Sequence, residues 1–248
     1  MLSEVYFHPT AINGRWTLRL PSHRAIQYMR PEGGGKWEEE RLAAMHAVIR
    51  PTDCVWDIGA EQGDMTALCA SWVPQGSVVA VEPNPWVWPC IRAIFEENDL
   101  PAPVETFVGF CGEKRTRPTN PDGVRRGGFQ GWPDCSVGVI DPAAGFAHMA
   151  EEQDRVPTTT VDLMVSSGAP APDVITMDVE GSEWFVLKGA MRTLVTSRPT
   201  VFVSVHEAFL REFFGQTTGD VHRLMAKADY DRDLLIVDHE AHWVYTPR

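Results

Sequence analysis

The sequence has little positive charge. Its 22 Lys and Arg residues stand against 34 Asp and Glu residues, which gives a formal net charge of -12. A nucleic-acid binder needs a basic surface for its phosphate contacts, so this balance argues against nucleic acid as a partner. It favours a neutral or cationic small ligand only weakly, because a solubilising acidic surface is the simpler explanation.

Paired cysteines and long apolar runs are also missing. The five cysteines, at positions 54, 69, 90, 111 and 135, include no CxxC pair and no zinc-ligand spacing, as is usual in a reducing compartment. No apolar run approaches membrane-spanning length, and the N-terminus lacks the basic and apolar segments of a signal peptide. We therefore expect a cytoplasmic protein that does not associate with membranes.

Apolar runs of strand length alternate with segments of helical periodicity through most of the chain. This alternation indicates an α/β fold with a doubly wound, mostly parallel sheet. Residues 234–237 and 243–245 instead form a predicted hairpin, so the last strand should run antiparallel to the others. The five predicted strands before it are residues 54–58, 78–81, 104–108, 174–177 and 201–205.

Two segments lie outside this alternation. Residues 1–36 are predicted to form a hairpin and loop extension, because Asn13-Gly14 favours a tight turn between two short strands. Residues 37–248 then form the main domain. Within it, residues 111–156 hold many Gly, Pro and Arg residues and fit no regular element. We expect an irregular insert there, with a disordered tip.

The loop after the first predicted strand has the composition of a cofactor site. It contains Asp57, Gly59, Glu61 and Gly63. A dinucleotide site would have the GxGxxG pattern, which brings a pyrophosphate to a helix N-terminus, and this loop lacks that pattern. Two acids would repel a pyrophosphate but suit an ammonium and a sulfonium. These residues therefore favour S-adenosylmethionine over NAD as the cofactor.

Further candidate residues follow the next two strands. Glu82 comes directly after the second strand, where a carboxylate accepts both hydroxyls of a ribose. This position is shared by NAD and S-adenosylmethionine sites, so it does not discriminate between them. Gly109 and Phe110 follow the third strand and are expected to flank the adenine.

Three carboxylates, Asp178, Glu180 and Glu183, stand within six residues after the apolar fourth strand. Desolvated carboxylates are costly without partners, and open α/β sheets bind ligands at the carboxyl ends of their strands. The cluster therefore predicts an active site. His206 and Glu207 end the fifth strand and are expected to face the same rim. For Glu183, a favourable charge in the first turn of a helix is the simpler interpretation.

Taken together, these segments resemble the FkbM family of S-adenosylmethionine-dependent O-methyltransferases. The most specific part of the resemblance is Asp-Val-Glu-Gly-Ser-Glu at 178–183. A parallel sheet with a terminal antiparallel hairpin is also the layout of Rossmann-like methyltransferases rather than of dehydrogenases. The segments that carry the resemblance are residues 55–63, 81–85, 173–183, 187–190 and 198–206.

The resemblance implies roles for individual residues. Asp57, Gly59, Gly63 and Glu82 would bind the cofactor. Thr66 would lie near the carboxylate end of the cofactor, and Asp178 close to the transferred methyl group.

The chain departs from the family at three positions. Glu61, Thr176 and Ser204 stand where the family usually has Asn, Lys and Glu. Glu61 is expected to alter the contacts to the methionyl moiety. The joint loss of the Lys and the Glu looks like the compensated loss of an ion pair.

Methyl transfer to oxygen requires removal of a hydroxyl proton, since an alcohol is a poor nucleophile. His206 is expected to be the base, with Asp178 and Glu207 beside it. Alternatively, Asp178, Glu180 and Glu207 hold a Mg²⁺ that orients and acidifies the hydroxyl. A third interpretation of His206 is a histidine that is simply bonded to a neighbouring carboxylate.

The acceptor is the least determined part of the prediction. FkbM-like enzymes methylate hydroxyls of sugars and of polyketide-type natural products, and we expect a saccharide hydroxyl first and a secondary-metabolite hydroxyl second. An NAD-dependent oxidoreductase and a non-catalytic S-adenosylmethionine-binding module are the other function classes, and a homodimer stays open. Four apolar residues either line an acceptor pocket or belong to the core, and we expect the core: Phe209, Leu210, Phe213 and Phe214.

Overall fold

Strands form the centre of the computed structural model, which describes residues 5–29, 36–119, 127–144 and 155–248. In chain order they are β1 (Phe7–Ile12), β2 (Trp16–Pro21), β3 (Cys54–Ile58), β4 (Ser77–Glu82), β5 (Glu105–Val108), β6 (Phe110–Cys111), β7 (Gly128–Gln130), β8 (Thr158–Thr159), β9 (Val174–Asp178), β10 (Thr200–Val205), β11 (Tyr230–Val237) and β12 (Ala241–Pro247). Eight of them make one sheet, in the order β11-β12-β10-β9-β3-β4-β5-β7.

The middle of this sheet is parallel and covered on both faces. Strands β5, β4, β3, β9 and β10 pair in parallel in that order. Every residue of β3 is buried, and its successive residues alternate between two apolar clusters: Val55 belongs to one and Trp56 to the other. The predicted doubly wound, Rossmann-like sheet is therefore confirmed.

The C-terminal hairpin is also confirmed. Strand β12 pairs antiparallel with β10, and β11 pairs antiparallel with β12 at the outer edge. The last strand of the chain is thus inserted between β10 and β11, and its direction opposes that of the parallel core.

Helices connect the strands and cover the sheet. They are α1 (Ser22–Met29), α2 (Glu39–Val48), α3 (Asp64–Trp72), α4 (Trp88–Glu97), α5 (Val161–Ser166), α6 (Glu183–Lys188), α7 (Met191–Thr196), α8 (Glu207–Phe214) and α9 (Thr218–Lys227). Apolar periodicity predicts one helix over residues 184–195, but the structure has two. They are separated at Gly189, where a Cβ would overlap the backbone carbonyl oxygen of Gly112.

The N-terminal hairpin packs on the main sheet. Strands β1 and β2 pair antiparallel around Asn13 and Gly14, which both have positive φ. Ile12, Leu18 and Leu20 are buried in the same apolar cluster as residues of α3 and α4. The division of the chain at residue 36 stays a prediction.

The 111–156 insert contains some regular structure. Its strand β7 pairs antiparallel with β5 and extends the central sheet by one strand. The predicted disorder of the tip concerns residues outside those that the structure describes. In the described ranges, no helix combines the length and the apolar character that crossing a bilayer requires.

Candidate active site

The carboxyl ends of the parallel strands meet at one edge of the sheet. This edge carries Asp57 in β3, Glu82 at the end of β4, Asp178 at the end of β9 and His206 directly after β10. Predicted cofactor and catalytic residues are therefore brought together, as the topology of an open α/β sheet requires.

Gly59 brings the cofactor loop into close contact with the end of β9. Its φ is 89°, and a Cβ at this position would overlap the backbone carbonyl oxygen of Asp178. Gly63 has a φ of 94° at the start of α3. Only glycine satisfies both the positive φ and the close approach at Gly59. The predicted cofactor loop thus lies directly against Asp178.

Asp57 is buried beneath this loop. Its carboxylate accepts a hydrogen bond from the Thr66 hydroxyl. Burial raises the pKa of Asp57 to about 7, although the Thr66 hydrogen bond and the charge of Arg41 oppose the rise. Thr66 is itself fully buried. Its hydroxyl therefore positions Asp57 rather than pointing freely toward a ligand.

The Glu82 carboxylate can accept further hydrogen bonds, as binding of a ribose would require. Its Oε2 accepts from the Glu61 N–H at 2.8 Å and its Oε1 from the Asn84 N–H at 2.7 Å. A carboxylate oxygen has two acceptor sites, so one on each oxygen stays open. Burial raises the pKa of Glu82 to about 8, against these two hydrogen bonds. Gly109 lies beside it, donating to the Glu82 carbonyl at 3.2 Å, and the half-buried Phe110 follows.

Glu61 has a partner that sequence patterns do not reveal. Arg24 of α1 donates to both oxygens of Glu61, at 3.0 and 3.2 Å, and to Asp64 at 2.9 Å. The Arg24 side chain is only 5% exposed. The acidic charge of the cofactor loop is therefore balanced from within the protein, and a ligand ammonium would share Glu61 with a guanidinium.

His206 lies among four carboxylates. Its Nδ1 is 2.9 Å from Glu183 Oε1. Its Nε2 is 3.2 Å from Glu180 Oε2 and 3.6 Å from Asp178 Oδ1, and it also contacts Glu240 Oε2.

These neighbours decide the charge of the ring. Burial lowers the pKa of His206, but the hydrogen bonds to Glu183 and Glu240 and the charge of Asp178 outweigh it and raise the pKa to about 11. His206 is therefore an imidazolium near neutral pH. That charge does not suit its predicted role as the base.

Sequence reasoning missed Glu240 and gave Glu183 only the role of a helix-start charge. Glu183 begins α6, as a helix-start charge would, but it is fully buried, and its Oε1 also accepts from the Gly181 N–H at 2.9 Å. Glu240 comes from the turn between β11 and β12 and has a side chain only 2% exposed. The adjacent His239 and Glu240 were a weak signal, because spacing along the chain does not show that this turn folds over β10.

Asp178 is held between two cations. Its Oδ1 faces His206 at 3.6 Å and its Oδ2 faces Arg41 Nη1 at 3.8 Å. Both distances are too long for hydrogen bonds, and within the described residues its carboxylate makes none. Burial raises the pKa of Asp178 to about 8, although Arg41 lowers it. A carboxylate that titrates near the working pH and has open acceptor sites suits a general base.

Glu207 does not belong to this cluster. It is the first residue of α8, and its carboxylate accepts hydrogen bonds from the backbone N–H and the hydroxyl of Thr218 at the start of α9. It also pairs with Arg211. Glu207 therefore supports the junction of two helices, which corrects its prediction as a catalytic and metal-binding residue.

The predicted Mg²⁺ site is not assembled either. In the described part of the chain, the potential ligand atoms that lie within 4.8 Å of one another come from Asp178, His206 and Glu240. One of these is an imidazole nitrogen, whereas Mg²⁺ prefers an octahedral set of oxygens. The residues present do not fit Mg²⁺.

Aromatic side chains continue outward from His206 along α8. The Phe209 ring stacks on the His206 ring with centroids 5.9 Å apart and planes 6° apart, and Phe213 lies next to Phe209 at 5.7 Å. Phe209, Phe213 and Phe214 are 38%, 63% and 42% exposed. The expected place in the core is therefore right for Leu210, which α8 buries, and wrong for the three phenylalanines, because α8 turns their face toward solvent.

A family model of the methyltransferase FkbM domain matches residues 57–232. The chain belongs to the FkbM methyltransferase family. The match covers β3 to β11 and includes the cofactor loop, the Asp178 cluster and His206. The protein is therefore a methyltransferase by family.

Two known proteins illustrate what this FkbM-family chain is similar to. It is 26% identical over 210 residues to the hexuronic acid methyltransferase AglP of Haloferax volcanii, a match that covers 84% of this chain and 75% of the relative. It also resembles the crystal structure of a methyltransferase FkbM from Methylobacillus flagellatus KT, with a TM-score of 0.50 and 16% identity. That match covers 79% of this chain but only 44% of the other, and it shows the fold alone.

The buried acids predict how stability depends on pH. Asp57, with a pKa of about 7, and Glu82, with a pKa of about 8, hold their protons more tightly in the folded than in the unfolded chain. Their contribution to the free energy of unfolding is full below about pH 4 and is lost as pH rises through about 7 to 8. We expect the Tm of the ligand-free protein to fall by on the order of 5 °C between about pH 5.5 and about pH 8.5.

Scanning calorimetry across this range checks the expectation. Glu82→Gln carries no charge at any pH, so it should flatten the fall in Tm. A Tm that stays constant or rises with pH in the unsubstituted protein would contradict the raised pKa values.

Proposed function

We propose that this protein transfers the methyl group of S-adenosylmethionine to a hydroxyl oxygen of a saccharide. The observation that carries the proposal is the Asp178 carboxylate. Its side chain is 32% exposed and stands between two cations without a hydrogen bond in the described residues, and the backbone carbonyl of the same residue lies against Gly59 of the cofactor loop. A methyltransferase of this family needs a proton acceptor at this edge of the sheet, and Asp178 meets that requirement.

The residues around the cofactor loop fit S-adenosylmethionine. Glu82 retains an open acceptor site on each oxygen for the ribose hydroxyls. Gly59 lets the cofactor loop pass close to the Asp178 carbonyl, Gly63 lets it pack on Ile91 of α4, and Gly109 and Phe110 border Glu82. Glu61 is 38% exposed and would share its charge between Arg24 and a ligand ammonium, whereas the buried Asp57 is held by Thr66. When bound, this cofactor supplies an electrophilic methyl group on a sulfonium.

Asp178 accepts the proton of the acceptor hydroxyl as the oxygen attacks. His206, as an imidazolium, does not remove that proton. It stabilises the negative charge of Asp178 before transfer and is itself held by Glu183 and Glu240. Positioning the hydroxyl by these groups supplies much of the rate of an in-line displacement.

The exposed phenylalanines of α8 favour a saccharide. The apolar faces of pyranose rings stack on aromatic side chains, and Phe209 and Phe213 form such a surface that begins at His206. The relative in Haloferax volcanii acts on a hexuronic acid, which makes a uronic acid residue the first acceptor to test. A secondary-metabolite hydroxyl is the second candidate.

The direct experiment is an acceptor screen with methyl-labelled S-adenosylmethionine. The panel contains hexuronic acids, neutral hexoses, their oligosaccharides and polyketide-type alcohols, and NMR of the product locates the new methyl group. An O-methyl ether on a sugar supports the proposal. A methyl ester, or transfer only to the polyketide-type alcohols, would contradict it.

Calorimetry separates the other function classes. Binding of S-adenosylhomocysteine without binding of NAD is expected. The opposite result would favour the oxidoreductase, whereas binding without transfer to any acceptor would favour a non-catalytic module.

We expect Phe213→Ala to raise KM for a saccharide acceptor about 3- to 10-fold, since one aromatic contact contributes on the order of 1 kcal/mol. The kcat should change little, because Phe213 is 63% exposed and does not contact His206 or Asp178. Steady-state kinetics with Phe213→Tyr and Phe213→Leu complete the test. The tyrosine variant should keep the low KM and the leucine variant should lose it; equal KM values for all variants would remove Phe213 from the acceptor site.

A further inference from the structure

Arg41 is a buried cation that reaches the active-site edge from outside the sheet. It belongs to α2 and its side chain is 2% exposed. Its Nη1 donates to Glu38 Oε2 and to Ser204 Oγ, each at 2.6 Å. Its Nη2 donates to Thr176 Oγ1 at 2.6 Å and to the Met177 carbonyl at 3.3 Å. The guanidinium is thus fixed between the ends of β9 and β10.

Protein stability alone does not explain well why Arg41 and Glu38 are buried here. Replacing a buried ion pair by apolar residues of similar volume is often neutral or stabilising, because the charges lose their hydration. Among the described residues the buried Arg41 Nε has no hydrogen-bond partner, and Glu38 has a left-handed backbone with φ of 42°. Each of these features costs free energy. A functional role for the pair is therefore worth seeking.

A chain of hydrogen bonds fixes how the guanidinium is oriented. Because Ser204 accepts from Arg41, its own hydroxyl proton is available for His242 Nδ1 at 3.0 Å. His242 then donates from Nε2 to Asp238 at 3.2 Å. Burial and the charge of Arg41 lower the pKa of His242, which keeps this ring neutral and able to accept from Ser204. Arg41 therefore cannot rotate away without breaking the chain.

Asp178 is the partly exposed carboxylate that this cation faces. The groups whose charges act on Asp178 are Arg41 of α2, Glu38 directly before α2, His206 after β10 and Glu240 from the β11–β12 turn. Two of these are cations and two are acids. Without Arg41, the acids would oppose ionisation of Asp178 with only His206 to balance them.

We propose that Arg41 is a positioning residue that favours the charged form of Asp178 and fixes its orientation, and that Glu38 and Ser204 hold Arg41 in place for this role. Its kinetic consequence rests on the proposed function, in which Asp178 receives a proton. Its electrostatic part is a property of the folded chain and is measured without any acceptor.

The first test is a carboxylate NMR titration of the full chain with ¹³C-labelled aspartate, in which Asp178→Asn assigns the signal. In Arg41→Met, the titration midpoint of Asp178 should move up by at least about one pH unit, as loss of a neighbouring opposite charge does. Arg50→Met is the matched control, because Arg50 is 72% exposed and pairs with Asp53 and Asp173 rather than with Asp178. An unchanged midpoint in Arg41→Met overturns the proposal.

Two double variants guard against loss of the fold. Arg41→Met/Glu38→Leu removes both charges and leaves no unpaired Glu38, and it should still show an upward shift, smaller than that of Arg41→Met because the charge of Glu38 itself raises the pKa of Asp178. Arg41→Met/Thr176→Lys offers a new ammonium where Arg41 Nη2 meets Thr176 Oγ1, and it should return the midpoint toward that of the unsubstituted chain. Failure of the lysine to restore the midpoint in a folded variant would count against a charge effect.

Kinetics then link the charge to turnover. The ascending limb of the kcat–pH profile of Arg41→Met should shift upward as the NMR midpoint does, while the affinity for S-adenosylhomocysteine stays within about 3-fold. If Arg41 had only a structural role, Arg41→Met would lower Tm and leave the ascending limb of the kcat–pH profile in place. That result would overturn the kinetic part of the proposal. If the unsubstituted protein methylates no acceptor, the proposed function fails, and the NMR titration still decides the role of Arg41.

Discussion

Asp178→Asn should lower kcat by about 10²- to 10⁴-fold, the range that a positioned general base contributes. The substitution keeps the size of the side chain but removes the site that accepts the hydroxyl proton. Because the Asp178 carboxylate makes no hydrogen bond within the described residues, the amide leaves no donor of this network unpaired, and the fold should tolerate it. Affinity for S-adenosylhomocysteine, measured by calorimetry, should change much less than kcat.

The pH profile makes this prediction specific. With Asp178 as the base, kcat of the unsubstituted enzyme should rise with pH through a midpoint near 8, since burial raises the pKa of Asp178 to about 8. Asp178→Asn should lose this limb. Asp231→Asn is a matched control, because Asp231 is 62% exposed and pairs with Arg248 on the far side of the hairpin. Full turnover in Asp178→Asn would exclude Asp178 as the base.

The sheet and its ends could be predicted because they depend on local patterns. Continuous apolar runs, such as Val78–Val81 within β4, are what a strand buried on both faces requires. Since the carboxyl ends of parallel strands share one edge, the residues that follow them, including Asp178 and His206, could be placed together from their positions along the chain.

Residues that reach the site from elsewhere could not be predicted. Glu240 is brought over His206 by the final hairpin, and Arg24 and Arg41 reach the edge from α1 and α2. A buried arginine looks like any surface cation in a sequence, because only the tertiary fold shows its partners. The prediction for Glu207 was wrong for a local reason. The residue does follow β10, as predicted, but the helix that begins there turns its side chain toward Thr218.

The structure gives a physical reason for the departures of Thr176 and Ser204 from the family pattern. Both are small hydroxyl side chains in neighbouring strands, and both contact the guanidinium of Arg41. A buried cation therefore does stand between β9 and β10 in this chain, but α2 supplies it. Helices α1 and α2 thus contribute charge to the site in two places, through Arg24 at the cofactor loop and Arg41 at Asp178.

Arg24→Met should cost about 3–5 kcal/mol of unfolding free energy, because it leaves the buried Asp64 carboxylate without its cation. Asp64 is 2% exposed. Within the part of the chain that the structure describes, its Oδ1 already lacks a hydrogen-bond partner, and the Tyr28 hydroxyl is the one donor that would remain. Glu61 would lose both of its bonds to Arg24, so the cofactor loop should loosen as well. Urea denaturation measures the first effect and titration with S-adenosylhomocysteine the second.

Comparison with an exposed ion pair distinguishes this effect from loss of any arginine. Arg19 and Glu97 form an ion pair of 3.1 Å with side chains 48% and 40% exposed, so Arg19→Met should cost no more than about 1 kcal/mol. Adding Asp64→Asn to Arg24→Met should recover part of the lost stability, because the stranded charge disappears. If Arg24→Met and Arg19→Met destabilise equally, the Arg24 network does not hold the N-terminal helix on the cofactor loop.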